Sequence, residues 1–174
     1  MQKYKNKKQY RCKNYDYSQS GYYFVTICTK NREMFFGDVK NEEMKLSEIG
    51  LVAEKFWKET SVRFSIVNLN EYVVMPNHIH GIIEIGDDGR NAPRRVPTGI
   101  QPLIKNSLSS IINHFKGNVK KYCNKNNLEY FAWQPRFHDR IIRNDGELNR
   151  IREYIINNPR KWESDRNNQD NLFM

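Results

Sequence analysis

The stretch Tyr72-Val73-Val74-Met75-Pro76-Asn77-His78-Ile79-His80-Gly81-Ile82-Ile83-Glu84-Ile85 decides the fold. Two apolar runs flank Met75-Pro76-Asn77, which reads as a tight turn between the strands of an antiparallel hairpin, about Phe64 to Val74 and His78 to Ile85. Successive side chains of a strand alternate faces, so His78 and His80 share one face and Ile79, Ile83 and Ile85 the other. Same-face neighbours lie about 6.5 to 7 Å apart at the backbone. Both imidazoles can therefore grip one divalent ion, or each can hydrogen-bond within a polar sheet surface; the spacing alone admits both. Glu84 shares that face but lies too far along the strand to join the same ion, which leaves it a salt bridge.

Working outward, Tyr22 to Thr29 is a β-branched and aromatic strand preceded by Gly21. A helix follows from about Leu46 to Thr60, with Ser47 as N-cap and Ile49, Val52, Ala53, Phe56 and Trp57 on one buried face. A second helix, about Leu103 to Tyr122, carries Ile104, Leu108, Ile111, Ile112, Phe115, Val119 and Tyr122 on one stripe. A strand over Phe137 to Arg143 and a third helix, capped by Asn144 with Glu147 three residues on and stopped before Pro159, complete the chain. Short pieces near Phe35 to Val39 and Met44 to Leu46 suit a small hairpin. The order β-α-β-β-α-β-α is α+β, a ferredoxin-like βαββαβ antiparallel sheet with helices packed on it and one extra C-terminal helix.

The 174 residues suit one domain. Residues 1–20 read as a basic arm, 21–162 as the domain, 86–102 as a mobile loop within it, and 163–174 as a polar tail. Aromatic residues at 13% exclude disorder throughout. The three cysteines, Cys12, Cys28 and Cys123, lack CxxC spacing, which supports neither a disulfide scaffold nor a cysteine zinc site. No apolar run has signal-peptide or membrane-span length, and a cytoplasmic protein with no membrane partner and no small-molecule substrate is expected.

Twenty-nine Lys and Arg against 20 Asp and Glu give a formal charge of +9, the footprint of a polyanionic partner. In the arm, Lys5, Lys7, Lys8 and Arg11 alternate with tyrosines, as suits a segment lying on phosphates or a solvated tail. Between Gly89 and Leu128 there is no acidic residue, while Arg94, Arg95, Lys105, Lys116, Lys120 and Lys121 extend a positive region toward Arg136. Trp133 and Phe137 could stack on unpaired bases, which makes nucleic acid the favoured partner, and the resemblance described below implies single-stranded or hairpin DNA. On the third helix Leu148, Ile151 and Ile155 face the core. Tyr154 and Asn158, four apart, sit on the flank, where a phenol can reach a cleft and an amide can offer a third ligand or simply pack. His138 and Asp139 are candidates for orienting a motif histidine.

Three motifs, VVMPNHIHGIIEI at 73–85, WQPRFHDRIIRNDGEL at 133–148 and REYIINNPRKW at 152–162, together resemble the single-tyrosine HUH transposases, in particular the REP-associated tyrosine transposases and their insertion-sequence relatives. The likeness extends to YDYSQSGYYFVTICTKNR at 15–32 and SLSSIINHFKGNVKK at 107–121. It implies that His78 and His80 bind a divalent metal, Mg²⁺ or Mn²⁺, and that Tyr154 attacks a phosphodiester of single-stranded DNA. Asn158 would stand as the helical metal ligand, a shorter arm than the Gln of some relatives. The implied protein is a metal-dependent endonuclease and strand transferase acting at hairpin-associated sites, as a monomer or as a homodimer. A domesticated hairpin-binding protein without cleavage is the alternative, and the joint presence of His78, His80 and Tyr154 favours the enzyme.

Overall fold

The computed structural model describes residues 15–87 and 106–164. Strand β1 (Gly21–Cys28) is followed by a 3-10 turn (Lys30–Arg32), a small hairpin of β2 (Gly37–Lys40) and β3 (Glu43–Leu46), and helix α1 (Glu48–Arg63). Then come β4 (Val67–Met75), β5 (His78–Ile85), α2 (Leu108–Lys125), β6 (His138–Ile142), α3 (Asp145–Ile156) and a closing 3-10 helix (Pro159–Ser164). The main sheet runs β4-β5-β1-β6 with every neighbouring pair antiparallel, the split βαβ order expected of the ferredoxin-like arrangement.

Register gives the sheet two different faces. One carries Tyr23, Val25 and Ile27 of β1 with Ile79, Ile83 and Ile85 of β5, and α1 and α2 cover it through Ala53, Trp57, Ile111, Ile112 and Phe115. The other carries His78, His80 and Ile82, and a separate smaller cluster of Ile82, Ile142, Leu148 and Ile155 docks α3 there. Because β5 is buried on both sides, its side chains are apolar almost throughout, and two histidines at 0% and 2% exposure stand out chemically.

Local chemistry sets the helix starts. Ser47 accepts from the Gly50 amide at 3.1 Å, and Ser107 accepts from Ser110 at 3.3 Å. Asn144 accepts from the Glu147 amide at 2.9 Å, as expected. The reciprocal half of the capping box differs: the Glu147 carboxylate takes the Arg143 amide at 3.0 Å, not that of Asn144, and pairs with Arg140 at 2.6 Å. Those partners hold its carboxyl below the usual range, the Arg143 amide most of all.

Several boundaries depart from expectation: β4 begins at Val67 and not Phe64, and α2 runs past Tyr122 to Lys125. Helix α1 begins and ends later than the apolar stripe suggests, running to Arg63, since the stripe marks the buried face and not the last turn. Packing also begins before residue 21: Tyr15 and Tyr17 join the core, and the Leu108 amide donates to the Tyr17 carbonyl at 3.0 Å. Among the described residues no helix is long and apolar enough to cross a membrane.

Gly81 lies between His80 and Ile82 with its Cα facing α1. A Cβ there would fall 2.3 Å from the Trp57 ring, which is fully buried and cannot retreat. Gly81→Ala is expected to lower stability by about 1–3 kcal/mol in urea unfolding; a variant as stable as the parent would show that the ring moves freely.

Candidate active site

Strand β5 presents His78 and His80 side by side, with ring centroids 4.3 Å apart and planes at 68°. Each Nδ1 has its own partner. That of His80 meets the Thr26 hydroxyl at 2.9 Å, because Thr26 is its register neighbour on β1. That of His78 meets Asn77 Oδ1 at 2.9 Å. With Nδ1 engaged on both rings, Nε2 is the nitrogen each ring turns away from its anchor, the usual orientation of metal-binding histidines.

Tyr154 comes from α3. Its hydroxyl lies 3.2 Å from His80 Nε2, and its ring meets His80 edge-on at 5.3 Å and Phe24 at 6.2 Å. The side chain keeps 38% exposure, so one end touches the imidazole and the ring edge stays open to solvent. The helical periodicity that buries Leu148 and Ile155 leaves Tyr154 on the flank, as its spacing implies. Asn158 is buried at 1% exposure, just past the end of α3, and Trp162 of the closing 3-10 helix lays its ring 6.1 Å from that of His78.

The residues that could hold a metal are the two imidazoles and the buried Asn158 amide. Among the described residues no group of three or more His, Cys, Asp or Glu could hold a metal; two histidines with an amide oxygen fall outside that pattern. Imidazole nitrogen and amide oxygen together suit a divalent cation of intermediate hardness and leave positions for phosphate oxygens.

The other expected residues divide three ways. Lys5, Lys7, Lys8, Arg11, Arg94, Arg95 and Lys105 lie outside the described residues. Lys121 and Arg136 are exposed on the surface. Lys116 and Lys120 are instead engaged by the chain itself. Lys116 Nζ donates to the carbonyls of Gln134 at 2.7 Å and Arg136 at 3.0 Å, and Lys120 Nζ donates to those of Glu129 at 2.9 Å and Phe131 at 2.6 Å. Trp133 packs against Phe36, Phe115 and Phe131, and its indole N–H donates to the Lys116 carbonyl at 3.1 Å. Its ring is half-buried, packed against the core.

Asp139 pairs with Val25 in register and so faces away from the histidines, while His138 pairs with Thr26 and shares their face. The residues that do hold the rings, Asn77 and Thr26, carried no sequence signal as such. Glu84 accepts from Asn68 at 3.4 Å, and its hydrogen bond and charge raise the Tyr22 phenol. Of the lesser tyrosines, Tyr122 donates to Glu48 at 3.4 Å and Tyr130 stacks near Phe35 at 5.9 Å.

Two histidines on a strand thus face a tyrosine on a helix within one chain. No family model matches the chain. An uncharacterised protein of Haemophilus influenzae is 36% identical over 165 residues, 92% of this chain and 92% of that protein. A second H. influenzae protein, named "Putative REP-associated tyrosine transposase", is 25% identical over 147 residues, 84% of this chain and 74% of that one. A solved structure of a REP-associated tyrosine transposase bound to a REP hairpin aligns with a TM-score of 0.61 at 20% identity, covering 90% of this chain and 74% of that one, a likeness of fold. The chain is thus a relative of the uncharacterised H. influenzae protein, is similar to the second one, and has the fold of the REP-associated tyrosine transposases. Those likenesses support a transposase-like function.

The two kinds of lysine make a test. Lys116→Met removes two hydrogen bonds to carbonyls that hold 134–136 and is expected to cost about 1–3 kcal/mol in urea unfolding, whereas exposed Lys121→Met stays within about 0.5 kcal/mol. Equal small effects would mean that the Lys116 contacts are incidental.

Proposed function

We propose that the protein is a tyrosine-nucleophile endonuclease and strand transferase for single-stranded DNA, with Tyr154 as nucleophile and His78, His80 and Asn158 as ligands of a Mg²⁺ or Mn²⁺ ion. The observation that carries this reading is the 3.2 Å approach of the Tyr154 hydroxyl to His80 Nε2, within one chain and 74 residues apart in sequence.

A phenol titrates near pH 10, about three units above neutrality, and is a weak nucleophile unaided. A bound divalent ion would supply Lewis acidity, polarising the scissile phosphate and stabilising charge on the transition state. The chain's own residues do the rest. Phe24 and His80 hold the phenol ring at its edge, so the hydroxyl is aimed before substrate arrives. The Tyr154 oxygen forms a bond to phosphorus, the bond from phosphorus to the 3′-oxygen breaks, the phenol proton leaves, and the 3′-oxygen is protonated. The product is a 5′-phosphotyrosine beside a free 3′-hydroxyl. That ester keeps the energy of the bond it replaced, so the 3′-hydroxyl of another strand can reverse the step and join new ends without a nucleotide cofactor.

The family's hairpin-bound structure supports hairpin DNA as the substrate class, and a surplus of nine positive charges suits it. Because histidines and tyrosine come from the same chain, the reading needs no second copy to complete the site.

Incubation with hairpin-bearing single-stranded DNA and Mn²⁺ is expected to give a covalent adduct that Tyr154→Phe abolishes. With the side chain 38% exposed, that variant's stability is expected to change by no more than about 0.5 kcal/mol. His78→Ala with His80→Ala is expected to remove cleavage while leaving most hairpin affinity, which phosphate contacts dominate. An undiminished adduct in Tyr154→Phe would rule out this nucleophile, and tight hairpin binding with no adduct in the parent protein would leave the binding-only alternative.

A further inference from the structure

The turn after β1 is built unusually. Asn31 and Arg32 both have positive φ, 53° and 58°, a left-handed conformation uncommon for residues other than glycine. It is tied down on each side: the Arg32 amide donates to the Thr29 carbonyl at 3.3 Å, and the Thr29 hydroxyl donates to the Glu33 carbonyl at 2.7 Å. The result aims the Arg32 carbonyl at the amide of Asn77, whose Nδ2 donates to it at 3.0 Å. Asn77 itself is fully buried, and its own carbonyl accepts both the Thr29 amide at 2.9 Å and the Thr29 hydroxyl at 3.0 Å.

These contacts fix more than position. A backbone carbonyl can only accept, so the atom of the Asn77 amide that faces Arg32 must be nitrogen. The atom facing the His78 ring is then Oδ1, which can only accept as well. The nitrogen at 2.9 Å from it, His78 Nδ1, must therefore carry a proton. We infer that Asn77 is a positioning residue that sets the tautomer of His78, relaying the acceptor character of the Arg32 carbonyl so that Nδ1 is protonated and Nε2 keeps its lone pair.

His80 has no such device. Its Nδ1 meets a hydroxyl and its Nε2 a phenol, and either group can donate or accept. One histidine is thus fixed by the chain while the other adapts to its surroundings. The functional consequence rests on the metal reading given above, since a lone pair on Nε2 is what a cation requires; the tautomer itself does not.

The test is a long-range ¹H–¹⁵N correlation spectrum of the imidazoles in the metal-free full chain, recorded above the imidazole titration range. The sequence contains only four histidines, and His78→Gln identifies the His78 signals. The parent protein is expected to show His78 protonated on Nδ1. Asn77→Asp keeps an acceptor against the ring and is expected to keep that pattern; Asn77→Ala is expected to lose it and to weaken Mn²⁺ binding by about 10- to 100-fold. A parent spectrum with the His78 proton on Nε2 overturns the inference with no variant needed, and an unchanged pattern in Asn77→Ala overturns the role of Asn77. A parent protein with the Nδ1 tautomer and no Mn²⁺ affinity upholds the inference while sinking the metal reading.

Discussion

The period-two alternation of β5, with both its faces covered, is the constraint on which everything else hangs. Ile79, Ile83 and Ile85 must enter the α1 and α2 layer, and that obligation turns His78, His80 and Ile82 toward α3. A one-residue slip would exchange the two sets, burying imidazoles against Trp57 and stranding isoleucines beside Tyr154. The Pro76-Asn77 turn prevents it by fixing Met75 opposite His78, and the β1 pairing of Thr26 with His80 repeats the same register from the other side.

Hydrogen bonds then give the apolar frame its chemical definition. Thr26 reaches His80 because two strands distant in sequence are hydrogen-bonded neighbours. Asn77 reaches His78 because it is the last residue of the turn, one position before the ring it holds. Tyr154 is brought in by α3, whose docking depends on Leu148 and Ile155 and whose first turn is secured by Asn144 and Glu147. Each contact is modest alone, yet all of them converge on two rings.

Much of this was legible in the residues. The bounds of β5, the shared face of its histidines, the small hairpin before α1 and the flank position of Tyr154 all follow from alternation, turn chemistry and helical spacing. The anchors were not. Thr26 lies 54 positions from His80, and nothing about a threonine in a strand says which ring it will meet until the register is known. Charge was the least transparent signal: Lys116, Lys120 and Lys121 look alike in sequence, yet two donate to carbonyls of the 129–136 segment and one faces solvent. The half-burial of Trp133 against three neighbouring rings was not legible either, because exposure cannot be read from residue type.

The two apolar clusters differ greatly in size, and that inequality has a mechanical meaning. The imidazoles ride on a strand flanked on both edges and backed by the larger cluster, so they form the stiff half of the site. The phenol rides on three turns of helix docked through a cluster of four buried side chains, two of them its own, and a few partly covered ones. Under load the thinly seated helix yields first, a built-in compliance that lets the phenol move while the imidazoles stay still.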